Sequence, residues 1–174
     1  MGYYGNITGQ GEISAFVITK EVYFTSMNNV SNLEDGFLHI TIKELFYVAV
    51  MLHLKHLVNI VYNFPVDEIK FEQELNEARN TLRKKKLLTE SARGGIGLNF
   101  ALIVCAAFCA NPESCEVINT DQYSATIYKV ALAYMLMEKR SEHDLAVVWF
   151  TERKILDKYI AEKTIKTTEK GGKA

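Results

Sequence analysis

Four histidines and three cysteines are the side chains of this sequence best suited to metal binding or nucleophilic chemistry. His53 and His56 lie three positions apart near the end of a helical pattern, with His39 ahead of it, a spacing at which imidazoles share a face and could begin a metal site. Zinc needs further ligands. Cys105 and Cys109 stand four apart inside an apolar helical stretch, away from the two-residue gap of a zinc knuckle, so buried reduced thiols account for them better. Cys115 and His143 supply the residue types of a nucleophile and its base. The neighbourhood Asn111-Pro112-Glu113-Ser114 carries no nucleophile signature, and a helix end followed by a strand explains it. The sequence therefore predicts no enzyme, no catalytic residue, no metal and no cofactor.

Two further motifs touch phosphate chemistry. Arg93-Gly94-Gly95-Ile96-Gly97 could bring backbone N–H groups to an anion, but it lacks the Lys-Ser/Thr ending of a phosphate loop and follows a charged helix rather than a strand. A turn is the simpler account. Arg83, Lys84, Lys85 and Lys86, placed between a helix and that glycine turn, follow the order of a winged-helix DNA-binding regulator, the alternative function for this chain. The preceding helix is heavily acidic, which would repel DNA wherever its outer face met the phosphates.

Composition narrows the classes. The chain has 174 residues, 48% of them hydrophobic and 24% charged, enough to bury a core without disulfides or metals, and residues 1–174 are predicted to form a single domain. A net charge of −1 leaves no basic footprint for nucleic acid. The glycine-containing first ten residues lack the basic and apolar regions of a signal peptide, and no apolar run reaches transmembrane length. Together with the reduced cysteines, these features predict a cytoplasmic protein with no membrane association.

The elements that must position these residues read as follows. Residues 1–14 and 166–174 are expected to be loose ends, and residues 15–25 mix β-branched and aromatic side chains in the manner of a strand. Thr41 followed by Glu44 forms a capping box, with Ile40 and Leu45 as its hydrophobic staple, and Leu45, Val48, Ala49 and Leu52 continue the helix. A short segment, residues 57–62, ends near Pro65. From Asp67, the stripe Phe71, Leu75, Ala78 and Leu82 marks an amphipathic helix with acids at its head and bases at its tail. Residues 98–110 are apolar nearly all round and predict a buried helix stopped by Asn111 and Pro112.

The last third favours strands: residues 115–118, the long run 126–137, which its alanines and methionines would also allow as helix, and 145–150. The polar residues 140–144 can close a hairpin, and Ile155, Leu156, Tyr159 and Ile160 suit a final helix. The fold class predicted is α+β, with N-terminal helices packed on a mainly antiparallel sheet formed largely by the C-terminal third.

Ile42-Lys43-Glu44-Leu45 opening a helix, an apolar segment ending near Pro65, a long helix closing on Leu87-Leu88, a turn, and an apolar helix followed by Pro112 resemble the first half of the EspG-like chaperones of type VII secretion over residues 40–117. The resemblance implies a cytosolic chaperone that binds the helical tip of a secretion substrate. Such chaperones are usually longer and quasi-twofold, which implies a minimal form or half of a homodimer here. Independently, residues 126–150 carry Tyr128, Tyr134, Met135, Met137, Trp149 and Phe150, large side chains of the kind found at interface hot spots, and these are the predicted partner contacts. Strand alternation through residues 126–137 would put Tyr128 and Tyr134 on one face. The expected function is thus a protein-binding adaptor or chaperone for a helical partner.

Overall fold

The computed structural model describes residues 36–63, 65–121 and 123–171. The strand predicted at residues 15–25 lies outside them. Thr41 opens helix α1 (Ile42–Met51) as its capping box requires: its hydroxyl accepts from Glu44 N at 3.1 Å, and Glu44 Oε2 accepts from Thr41 N at 2.7 Å. The same Oε2 accepts from Lys85 Nζ at 2.7 Å, so one buried carboxylate ties the head of α1 to the tail of the next helix. Helix α1 ends in a Schellman motif. His53 takes a left-handed φ of 54°, its N–H donates to Val50 O at 3.1 Å, and Leu54 N–H donates to Ala49 O at 2.9 Å. His53 is thereby a chain-reversal residue. A Cβ in that conformation is unfavourable, so His53→Gly is expected to raise stability by about 1 kcal/mol. Urea denaturation checks this; a loss of stability would show that the imidazole itself contributes.

Asp67 caps helix α2 (Glu68–Lys84), accepting from Lys70 N at 2.9 Å. Ala78 and Leu82 of the predicted stripe are buried, while Leu75 and Phe71 are half-buried. A second Schellman motif closes α2, with Lys86 at φ 57° and Leu87 N–H donating to Leu82 O at 2.9 Å. The chain then enters strand β2 (Leu88–Glu90), which pairs antiparallel with β3 (Ile96–Leu98). Gly94, at φ 80°, makes the turn between them, where a side chain would be strained. The glycine motif is a hairpin turn. Asn99 caps helix α3 (Phe100–Ala110), which is buried on most of its circumference because nearly every residue is apolar.

Four strands follow: β4 (Ser114–Asn119), β5 (Ser124–Val130), β6 (Ala133–Lys139) and β7 (Asp144–Phe150). With β1 (Leu38–Thr41) they form a five-stranded antiparallel sheet in the order β1-β7-β6-β5-β4. The fold is α+β, its sheet contributed largely by the C-terminal part. Helix α4 (Arg153–Gly171) ends the described chain. Cross-strand pairing sorts side chains into two faces. The inner face holds the row Cys115, Tyr128, Met135 and Trp149 and the row Val117, Thr126, Met137, Val147 and Leu38, and its apolar members other than the exposed Val117 pack with residues of α1, α2 and α3. The outer face buries Ala125, Ile127 and Leu136 with Leu156 of α4.

Two local expectations change, and the short segment expected at residues 57–62 proves irregular. Residues 126–137 are two strands joined at Ala131 and Leu132, where Ala131 adopts φ 51°. No glycine, proline or asparagine marks this turn, so only pairing with β6 reveals it. Residues 57–62 form no helix or strand; Val58 N–H donates to Cys109 O at 2.7 Å and Asn59 is left-handed at φ 57°. Helix α4 runs beyond residue 166, into the predicted loose end, because no strong helix breaker occurs in the sequence before Gly171 and Gly172. Among the described residues no helix is long and apolar enough to cross a membrane.

Candidate partner-binding surface

The sheet places four of the six predicted partner contacts in the core. Tyr128, Met135, Met137 and Trp149 lie on the inner face and are buried under the molecule's own helices. The Tyr128 hydroxyl donates to Val58 O at 2.8 Å. Because the β5–β6 turn uses two residues, Tyr128 comes opposite Met135, and Tyr134 comes opposite Lys129 on the outer face. Tyr134 therefore leaves the side that uninterrupted alternation would give it. It is half-buried there with Phe150, whose ring lies 5.5 Å from that of Tyr159 on α4. Helix propensity at residues 153–171 is ordinary, but Leu156, Tyr159 and Ile160 give α4 a stripe that closes over the outer face.

That closure creates a polar cluster. Glu138 has alanine cross-strand neighbours, Ala125 and Ala146, and is buried. Its Oε1 accepts from the hydroxyls of Tyr159 at 2.9 Å and Tyr123 at 3.1 Å, and its other oxygen forms an ion pair with Arg140. Burial first, and the adjoining Glu138 carboxylate second, push both phenols above their ordinary pKa. Burial does the same to Tyr128. The unfolded chain ionises these phenols near pH 10.0 while the folded state holds them protonated. Their contribution to stability is fully present below that pH and is lost as pH rises through the higher folded values. Denaturation midpoints measured upward from about pH 10 are expected to fall, and Tyr123→Phe with Tyr159→Phe should make the fall shallower. An unchanged slope would remove these phenols as its source.

The histidines lie on other elements than the cysteines, whose three thiols neighbour one another around Tyr128. His39 lies on β1, His53 and His56 follow α1, and His143 sits in the β6–β7 turn. Cys115 occupies β4, the strand at the opposite edge of the sheet from β1, and accepts from Asn59 Nδ2 at 3.1 Å. Burial raises the pKa of both Cys109 and Cys115, which keeps the thiols protonated and weakly nucleophilic. Among the described residues no group of three or more His, Cys, Asp or Glu is placed to hold a metal. Two members of the basic cluster are engaged internally: Arg83 meets Glu90 at 3.7 Å, where Arg79 also pairs at 2.7 Å, and Lys85 pairs with Glu44 at 2.7 Å. These carboxylates reduce the positive field that phosphate contacts would use.

The large apolar side chains open to solvent among the described residues include Val117 on β4, Leu132 in the β5–β6 turn, Ile155 on α4, and three near the start of α2 in sequence. Val61 is 78% exposed, Ile69 is 69% exposed, and Val66 is fully exposed. Nearby, the Phe46 ring of α1 lies 5.8 Å from that of Tyr62, and Tyr62 in turn hydrogen-bonds Glu74 of α2. Val50, one turn beyond Phe46 on α1, is also exposed. Single exposed aliphatics are ordinary, but Val66 and Ile69, three positions apart across the start of α2, are both exposed and large. The sequence carried a signal for this exposure: Ile69 is out of phase with the stripe Phe71, Leu75, Ala78 and Leu82, so it cannot share their buried face. Val66 precedes the Asp67 cap, where a staple would pack it inward; its full exposure is decided by the fold. No protein-family model matches the sequence, and no curated protein matches it.

Proposed function

We propose that this chain is a cytosolic protein-binding adaptor or chaperone for a helical partner, similar in role to the EspG-like chaperones of type VII secretion. The observation that carries the proposal is the exposure of the aliphatic side chains Val66 and Ile69 at the start of α2, with Val61 also exposed on the segment before it. Covering such side chains would stabilise a complex by about 25 cal/mol per Å² of apolar surface removed from water, before the costs of association. The order of helix, long helix, hairpin, apolar helix and antiparallel sheet supports the same reading.

The test uses affinity-tagged protein recovered from its native host, wild type beside a Val66→Asp, Ile69→Asp variant. Both substitutions fall on exposed side chains, so folding is expected to be unchanged, which circular dichroism verifies. The wild type should recover a helical protein in stoichiometric amount, and the variant should lose at least about tenfold of it. Recovery of no partner, or equal recovery by both proteins, counts against the proposal.

A further inference from the structure

An open sheet has two edges, and the strand order places β1 at one and β4 at the other. Backbone groups on an edge pair with any strand that reaches them unless something is put in the way. At β1 something is. His39 C=O accepts from Lys85 Nζ at 3.3 Å and Thr41 N–H donates to Glu44 Oε2 at 2.7 Å, so the Glu44–Lys85 pair occupies the backbone of that short strand. At β4 nothing comparable stands. Ser114–Asn119 pairs with β5 in unbroken register, contains no proline and no lysine, and among the described residues no strand pairs beyond it and no side chain hydrogen-bonds its backbone. Val117 belongs to the face that the helices cover elsewhere, yet it is 53% exposed here.

The acids of this edge are engaged within the fold. Glu116 accepts from Arg153 of α4 through both oxygens, at 2.6 and 3.0 Å, and Glu113 accepts from Ala131 N at 2.8 Å and pairs with Lys129 at 3.1 Å. Neither carboxylate is left to repel an approaching strand. Residues opposed across an antiparallel pair share a face, so two copies of β4 joined about a twofold axis must centre on a single residue. Centring on Glu116 would oppose two carboxylates. Centring on Val117 sets that side chain against its own copy, Glu116 opposite Ile118 of the second copy, and Cys115 opposite Asn119, with no like charges facing.

We infer that the free edge of β4 is a self-association surface, at which a second copy of this chain pairs antiparallel through Val117 and joins the two five-stranded sheets into one. The strand is self-complementary, and twofold pairing closes after two copies because β1 offers no second open edge. Covering Val117 removes apolar surface from water, and the pairing supplies partners to the edge N–H and C=O groups.

Sedimentation of the full chain is expected to show a concentration-dependent dimer. Val117→Lys alters an already exposed side chain and opposes two ammonium groups across the axis; it should raise the dimer Kd at least about tenfold with the circular dichroism unchanged. Cross-linking reads the register. In a Cys115→Ser background, Val117→Cys brings two Cα atoms to about 4.5–5.5 Å, inside the range of a disulfide, and oxidised glutathione should give a covalent dimer. Ile118→Cys lies about 7–8 Å diagonally from its own copy and should stay uncoupled. A monomer at every concentration overturns the inference, as does a dimer that Val117→Lys leaves intact. Equal cross-linking by the two cysteine variants overturns the register, and should Val117→Lys fail to fold, the Val117→Cys and Ile118→Cys comparison decides by itself.

Discussion

Trp149→Ala is expected to lower the free energy of unfolding by about 3–5 kcal/mol, the range for truncating a buried aromatic side chain. Trp149 lies opposite Met135 on the inner face of the sheet, within the core that α1 and α3 cover. Its removal deletes apolar contact from both layers and leaves a cavity that two opposed rigid elements cannot close. Against a usual total of about 5–15 kcal/mol, that loss is large enough to see as a shift in the urea midpoint. A second variant separates packing from polarity. The indole Nε1 is buried without an acceptor among the described residues, so Trp149→Phe sheds an unsatisfied donor while keeping a ring. It is expected to cost clearly less than Trp149→Ala. Equal costs would mean that ring volume is not what the site uses, and a cost below about 1 kcal/mol for alanine would mean that Trp149 is not in the core.

Glu138→Ala is expected to cost about 3 kcal/mol, toward the lower end for breaking a buried ion pair because Arg140 is half-exposed and can return to water. Most of the loss falls on the phenols. Tyr123 and Tyr159 both donate to Glu138 Oε1, and deletion of the carboxylate leaves two hydroxyls under α4 with no acceptor there. The double-mutant cycle states this sharply: with Tyr123→Phe and Tyr159→Phe already in place, Glu138→Ala should cost markedly less. An undiminished cost would locate the effect in Arg140 or in strand packing. Since α4 is held to the sheet partly through this cluster, hydrogen exchange in α4 should quicken in Glu138→Ala more than in α2. The ion pairs of Arg153 with Glu116 at 2.6 Å and Asp157 at 2.7 Å are solvent-exposed and add little to that attachment.

These two sites explain why the predicted partner contacts moved. Tyr128, Met135, Met137 and Trp149 are large and apolar, the property that makes a residue suitable for an interface and equally for a core. Composition cannot separate the two roles. The decision lay in whether residues 126–137 ran straight or turned, and the turn at Ala131 and Leu132 has no sequence marker because it uses an alanine at φ 51°. Once it turns, Tyr128 and Met135 share the inner face and Tyr134 passes to the outer one.

Local physics written into neighbouring residues was legible from the sequence alone. The Thr41–Glu44 capping box, the Asp67 cap, the stripe ending at Leu82, the all-round apolar helix before Asn111 and Pro112, and the hairpin at residues 140–144 each depend on contacts within a few positions. So does the α+β class, which follows from helical periodicity early and strand-like runs late. Tertiary structure alone decided which side of each strand met the helices, that α4 closes the outer face over Glu138, and that Val61 and Val66 remain in solvent. Burial depends on residues far apart in the chain arriving at the same place, and that information resides in the packing of elements rather than in any one segment.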